Sequence, residues 1–289
     1  MSTNTVSAVP HLNATTSAAD VSLAIDEYGA VVVDDLVDAA MLARLRDDLG
    51  PWQAITAPGS TSGDPEWELF HGRNTVRVNG LAAKSPAVVD LSLQPGILDV
   101  ADQRLIPDGG SIQVSDTQLI SIGPGQPAQY LHRDQTGWPY FNQLLPAGPE
   151  VIVIAMVALS DCTAANGATR VVPFSHREAD DDSLFDPAAS VPAEMSAGSA
   201  LLFSGKTIHG GGANRTTDEW RSVIHLSYLL GWLRPEEAHA FSIPAATASG
   251  FPRRAKELYG FAEYNPAPHG GGRLNLVDFE DPARLFESA

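Results

Sequence analysis

Apolar positions along the chain follow two rhythms, helical near the start and strand-like afterwards. From Asp38 onward, Met41, Leu42, Leu45 and Leu49 fall on one helical face; Asp38 is placed to cap the helix and Gly50-Pro51 predicts its stop. A second helix is expected over residues 86–93, ended by Pro95-Gly96. Packed structure is expected to begin with residues 21–28 and 31–33. Residues 1–18 are rich in Ser, Thr, Asn and Ala, lack any period, and read as a flexible N-terminal tail ahead of a single domain over 19–289.

The second half changes character. Residues 118–122, 151–159, 170–172, 200–203 and 223–230 are short runs of Val, Ile, Leu and aromatics, separated by clusters of Gly, Pro, Asn and Asp. Helices followed by many spaced strands predict a mainly β domain with flanking helices, an antiparallel jelly roll or double-stranded β-helix of the cupin kind. At 289 residues the chain suffices for one such domain with extensions.

Composition narrows the partners. The formal net charge of −17 makes phosphate backbones and anionic lipid poor partners, so neither nucleic acid nor a membrane surface is expected. No window approaches ~18 uninterrupted apolar residues, and the first residues lack the basic and apolar regions of a signal peptide. Cys162 is the one cysteine, which excludes an intrachain disulfide and a cysteine-based zinc or iron–sulfur site and fits the cytoplasm.

Candidate chemistry lies in three places. His132 and Asp134 are two residues apart, so an extended backbone points both to one face. His209 follows an apolar run and is flanked by glycines that permit close approach of backbone and ligand. Two imidazoles and a carboxylate on one face of an ion leave three positions open, the arrangement suited to non-haem iron(II) and O2 activation. His71, His176, His225 and His239 are rival ligands; His225, inside a strand, reads better as a packed, hydrogen-bonded core residue and His176 as a turn residue. An open iron site needs an electron-donating co-substrate. Arg221, twelve residues after His209 at the start of a strand, offers a planar cation for a dicarboxylate such as 2-oxoglutarate.

The strings NTVRVNGL (74–81), QYLHRDQ (129–135), NGATRVVPFSH (166–176), GSALLFSGKTIHGGGANRT (198–216) and RSVIHLSYLLGWLRPEE (221–237) resemble, in order, segments of the phytanoyl-CoA dioxygenase family, above all its branch that tailors terpenoid and alkaloid natural products. The resemblance spans roughly residues 20–240. It implies iron(II) on His132, Asp134 and His209, and 2-oxoglutarate held by Arg221 with contacts from Gln129 and Arg77, Arg73 being the rival of Arg77. It also places Thr169 and Asn166 near the cavity. The implied reaction consumes O2 and 2-oxoglutarate, releases succinate and carbon dioxide, and oxidises a substrate C–H bond. Related halogenases carry a small residue in place of the carboxylate, so the presence of Asp134 disfavours halogenation. The substrate is expected to be a small, largely apolar natural product; the alternatives are an acyl-CoA or amino-acid derivative, or a cupin-like metal- or ligand-binding protein without turnover. Trp138, Tyr140 and Phe141 stand close behind the first ligands as a substrate wall or as a hydrophobic plug. The C-terminal region with Tyr259, Phe261 and Tyr264 is expected to form a lid or the contact of a homodimer.

Overall fold

A computed structural model describes residues 8–60, 62–179, 181–266, 270 and 272–286. Ten strands, β1 (His11–Asn13), β2 (Ala30–Asp34), β3 (Thr75–Asn79), β4 (Ile112–Ile122), β5 (Ile152–Ala158), β6 (Arg170–Val171), β7 (Val191–Pro192), β8 (Ala200–Ser204), β9 (His209–Gly210) and β10 (Arg221–Leu230), form two sheets among the described residues. The large sheet runs β1-β2-β8-β5-β10-β4-β3 and the small one β7-β6-β9. All pairings are antiparallel except β1 with β2. This is the expected jelly roll. β5, β8 and nearly all of β10 are buried, so they read as continuous apolar runs rather than alternating ones.

Helices cover the outer face of the large sheet. Helix α1 (Ala18–Tyr28) is capped by Ser17, which accepts from the Asp20 amide, and is closed by Gly29 at φ 89°, a left-handed conformation that favours glycine. Helix α2 (Ala39–Ile55) buries Leu45 and Leu49, and α3 (Pro65–His71) leads toward β3. Helices α4 (Pro86–Leu91) and α5 (Pro95–Gly109) follow, and α5 packs across β4, β5 and β10. Tyr228 on β10 donates through its buried hydroxyl to the Ser92 carbonyl at 2.8 Å, tying the end of α4 to the sheet. Among the described residues no helix is long and apolar enough to cross a membrane.

Three local expectations change. Helix α2 does not stop at Gly50-Pro51 but continues to Ile55. Pro51 and Asp47, whose carbonyl the proline ring leaves without its helical donor, are both exposed, so the missing bond is not buried and costs the helix less. Pro95 does more than end a helix: it is the first residue of α5, where its fixed φ suits a helix start and its missing N–H costs nothing. The segment read as a tail is partly packed structure, since His11–Asn13 pairs with Val32–Asp34 and His11 contacts Asp34 at 2.9 Å. Residues 1–7 of that segment lie outside the described residues.

The α2 cap gives a first prediction. Asp38 Oδ1 accepts from the Met41 amide at 2.8 Å in an exposed setting. Asp38→Ala is expected to lower unfolding free energy by about 1 kcal/mol, read by urea denaturation at unchanged m-value.

Candidate active site

Cross-strand partners share a face of a sheet, and alternate residues share it along a strand. Arg221 lies opposite Ile122, and His225 lies opposite Gln118 on one side and Met156 on the other. The same inner face of β3 carries Thr75 and Arg77, paired with Ile122 and Ile120. A β-bulge interrupts this ladder between Ser227 and Tyr228, where Ser115 has no partner of its own. Bulges re-aim side chains. Here Ser115 receives the Glu236 and Glu237 amides, on its hydroxyl and its carbonyl respectively, which draws that segment to the rim of the inner face.

The small sheet brings the other residues over that face. His132 and His209 are bridge partners whose amides donate to each other's carbonyls, both at 2.9 Å. Arg133 between the first two ligands is extended (φ −115°, ψ 135°), so His132 and Asp134 point one way and Arg133 the other. Arg133 turns into the protein, 1% exposed, and donates to the Ser175 and Lys206 carbonyls. The glycines after His209 serve close approach as expected: a Cβ on Gly212 would stand 2.5 Å from the Ala168 carbonyl.

The three expected ligands converge, and no other group of three such side chains does so among the described residues. Nε2 of His132 and of His209 lie 3.4 and 3.6 Å from the same oxygen, Asp134 Oδ1. Each ring has its Nδ1 3.1 Å from a backbone carbonyl, Tyr130 for His132 and Thr207 for His209. A carbonyl only accepts, so each Nδ1 carries the hydrogen and each Nε2 presents a lone pair to the centre. Burial, with His132 nearby, pushes the His209 imidazole down to about 4 against the pull of Asp134, so it is neutral as a ligand must be. Burial alone would raise the Asp134 carboxyl, but His209, His132 and His225 hold it well below the usual carboxylate range. Asp134 Oδ2 is buried without a hydrogen-bond partner. Two neutral nitrogens, one ionised oxygen and an unsatisfied carboxylate atom fit a divalent ion of the non-haem iron type.

Beside the triad a narrow cavity is lined by Arg77, Gln129, Thr169 and Arg221, with Phe70, Ile120, Ile122 and Met156 as apolar wall. Arg221 is 1% exposed. Its Nε and one terminal nitrogen donate to the Gly167 carbonyl at 2.8 and 2.6 Å, and the other terminal nitrogen is buried with no partner. An unpaired buried charged donor costs about 1–3 kcal/mol or more, which an anionic ligand would return. Arg77 donates to the His71 carbonyl and to Gln118, and burial and then Arg221 lower it to about 10. Arg73 is exposed and does not line the cavity; of the two arginines only Arg77 does. Gln129 spends its amide on backbone, donating to Phe70 O and accepting from Gly211 N, and so clasps two loops of the cavity wall together. Asn166 is engaged in its own turn and does not reach the cavity.

Of the rival histidines, His176 is buried against the Asp26 carbonyl and His239 against that of Val114, both away from the triad. His71 lines the narrow cavity rather than the metal position. His225 packs inside its strand as read, and its polar surroundings are the metal-site carboxylate and its neighbour: its Nε2 stands 3.8 Å from Asp134 Oδ2 and its Nδ1 3.9 Å from Asp116 Oδ2. Its spacing of four from Arg221 on one strand, which puts both on one face, was the available signal. Glu236 was also missed. Burial pushes its carboxyl up to about 7, with Asp134 adding to the rise.

The description of the phytanoyl-CoA dioxygenase (PhyH) family matches residues 25–223. The chain belongs to this family. Similar proteins include "Dioxygenase FUM3" of Gibberella moniliformis, 36% identical over 251 residues covering 85% of this chain and 83% of that protein. "Multifunctional dioxygenase ausE" of Penicillium brasilianum is 32% identical over 259 residues, covering 86% of this chain and 84% of its own. Among solved structures, the non-heme alpha ketoglutarate dependent carbocyclase SnoK from nogalamycin biosynthesis shares the fold at TM-score 0.60 and 19% identity, covering 81% of this chain and 94% of that one. The epimerase SnoN in complex with Fe3+, alpha ketoglutarate and nogalamycin RO does so at TM-score 0.56 and 20% identity, covering 79% and 90%. The phytanoyl-CoA dioxygenase match runs through both β-bridged histidines and Asp134, so the converging triad lies within the family's own span.

Proposed function

We infer that this dioxygenase uses iron(II) on His132, Asp134 and His209 and 2-oxoglutarate at Arg221 to oxidise a C–H bond of a small, largely apolar natural product. The observation that carries the reading is the unpaired buried nitrogen of Arg221 in a cavity whose Phe70 wall packs against the ligand His132. Iron and 2-oxoglutarate together supply O2 activation. The chain's residues do the rest. The two imidazoles, their tautomers set by Tyr130 O and Thr207 O, present lone pairs; Arg221 and Arg77 neutralise a dianion; Thr169 offers a hydroxyl in the cavity wall; Ile120, Ile122 and Met156 keep water out.

Substrate fits the Glu236 side of the inner face, where that carboxyl is near enough to Asp134 to feel its charge. A cavity of about 610 Å3 lies there, lined by Trp232, Phe241, Tyr259 and Tyr264 together with Glu236 and Glu237. It is of the size of a small-molecule pocket, with aromatic walls on one side and charged residues such as Arg253, Arg254 and Glu257 on the other. The 138–141 segment supports this cavity rather than lining it: Phe141 is buried near Trp232, and Trp138 Nε1 donates to the Arg234 carbonyl at 3.1 Å. The reading as a plug therefore suits Phe141, and the C-terminal residues Tyr259 and Tyr264 act as walls. Natural products suit this reading because SnoN holds nogalamycin RO on the same fold. A cytoplasmic enzyme suits a chain whose cysteine is a buried free thiol, and a homodimer would draw on exposed apolar residues such as Phe241.

Succinate release with iron(II), ascorbate and 2-oxoglutarate tests the reading. Turnover above background is expected even without substrate, rising when a polycyclic or long-chain apolar compound is coupled. No succinate under any condition would reject it.

A further inference from the structure

The inner face of the large sheet carries a line of side chains for which the proposed metal centre leaves no role. Asp116 Oδ2, the His225 ring and Asp134 Oδ2 follow one another at 3.9 and 3.8 Å. His225 sits on β10, Asp116 on β4 at the bulge. Asp116 is 6% exposed, and its Oδ1, like Asp134 Oδ2, is buried without a hydrogen-bond partner. Ordinary alternation makes the line: Asp116 lies two residues before Gln118, the partner of His225, and so shares its face. It stands opposite Ser227, whose hydroxyl accepts from the Asp116 amide at 3.1 Å.

The geometry points to His225 as the positioning residue of the metal-binding carboxylate. Both ligand histidines address Asp134 Oδ1, which marks that atom as the ligand oxygen. His225 addresses the other one. A carboxylate free to turn would offer both oxygens to an ion and fill a position that the co-substrate or O2 needs. A ring nitrogen facing Oδ2 at 3.8 Å, an ion-pair rather than a hydrogen-bond distance, draws that oxygen away from the ion and leaves Oδ1 as the ligand, and Asp116 faces the other ring nitrogen at 3.9 Å. Outer partners of this kind govern both affinity and geometry at metal centres. The inference rests on the reading of His132, Asp134 and His209 as the ligand set.

The test measures metal binding apart from turnover. Iron(II) is titrated into the full-length protein without oxygen, by calorimetry and by its effect on melting temperature; the visible charge-transfer absorption is recorded after adding 2-oxoglutarate. His225→Leu is expected to weaken iron(II) binding about 10- to 100-fold and to shift the absorption band. His225→Gln, which keeps a donor, should restore most of the affinity and the parental band, a rescue that a merely space-filling role would not produce. Asp116→Asn, which keeps the shape, should shift affinity in the same direction by less. Iron(II) binding by His225→Leu within twofold of the parent would overturn the inference. Should His225→Leu fail to fold, parental affinity and band in Asp116→Asn together with no rescue in His225→Gln would overturn it instead. A parent protein that binds no iron(II) would bring down the ligand set itself, and this inference with it.

Discussion

Replacing His209 or Asp134 with alanine is expected to abolish oxygen-dependent succinate formation, with a fall of at least about a hundredfold, beyond the roughly 10–100-fold typical of losing an outer partner. Each change removes one of three ligands, and neither can be replaced from nearby. The Asp134 carboxylate is the atom group both histidines face, and the next carboxylate, Asp116, is separated from the centre by the His225 ring. The His209 backbone bridge to His132 does not depend on its side chain, so the alanine variant should keep the fold. Circular dichroism should match the parent while iron(II) no longer raises the melting temperature. Parental turnover in either variant with added iron(II) would refute the site.

Arg221→Ala should act on the co-substrate instead. Removing one partner of a buried charge pair costs about 2–5 kcal/mol, which is roughly a 30- to 5,000-fold rise in the apparent KM for 2-oxoglutarate. Iron(II) affinity should change far less. The substitution also frees the Gly167 carbonyl, which now accepts twice from the guanidinium, so some stability should be lost as well. Arg221→Lys separates the two effects: its charge remains, but one ammonium cannot serve Gly167 and a carboxylate with the same planar fork. An unaltered dependence on 2-oxoglutarate in the alanine variant would remove Arg221 from its role.

How much of this was legible beforehand differs by element. The strands at residues 118–122, 151–159, 170–172, 200–203 and 223–230 announced themselves because buried strands are runs of β-branched and aliphatic residues, and their assembly as a jelly roll followed from their number and spacing. Helix ends were harder. Proline is compatible with a helix start and, when solvent faces the freed carbonyl, with its interior, so Pro95 and Pro51 do not give a unique instruction. The triad was readable since two ligands share one short extended segment and the third is marked by glycines. His225 was not, because a histidine among Val, Ile and Leu looks like core until the strand's register is known. Asp116 likewise waits on the register of β4 against β10, while Glu236 depends on the bulge at Ser115, and a bulge leaves no reliable trace in the apolar pattern.

The bridge between His132 and His209 has one more consequence. Their spacing is set by two backbone hydrogen bonds, not by how either side chain happens to pack. A slip of one residue would turn one imidazole to the opposite face, so the pair is either in register or useless. Everything between them in sequence, from the turn at Asp134 through residues 139–200, is fastened at both ends to this clasp. The aromatic walls proposed for substrate, Trp232, Phe241, Tyr259 and Tyr264, all come after β10 and so lie outside that excursion. They can be exchanged without touching the register on which the metal position depends.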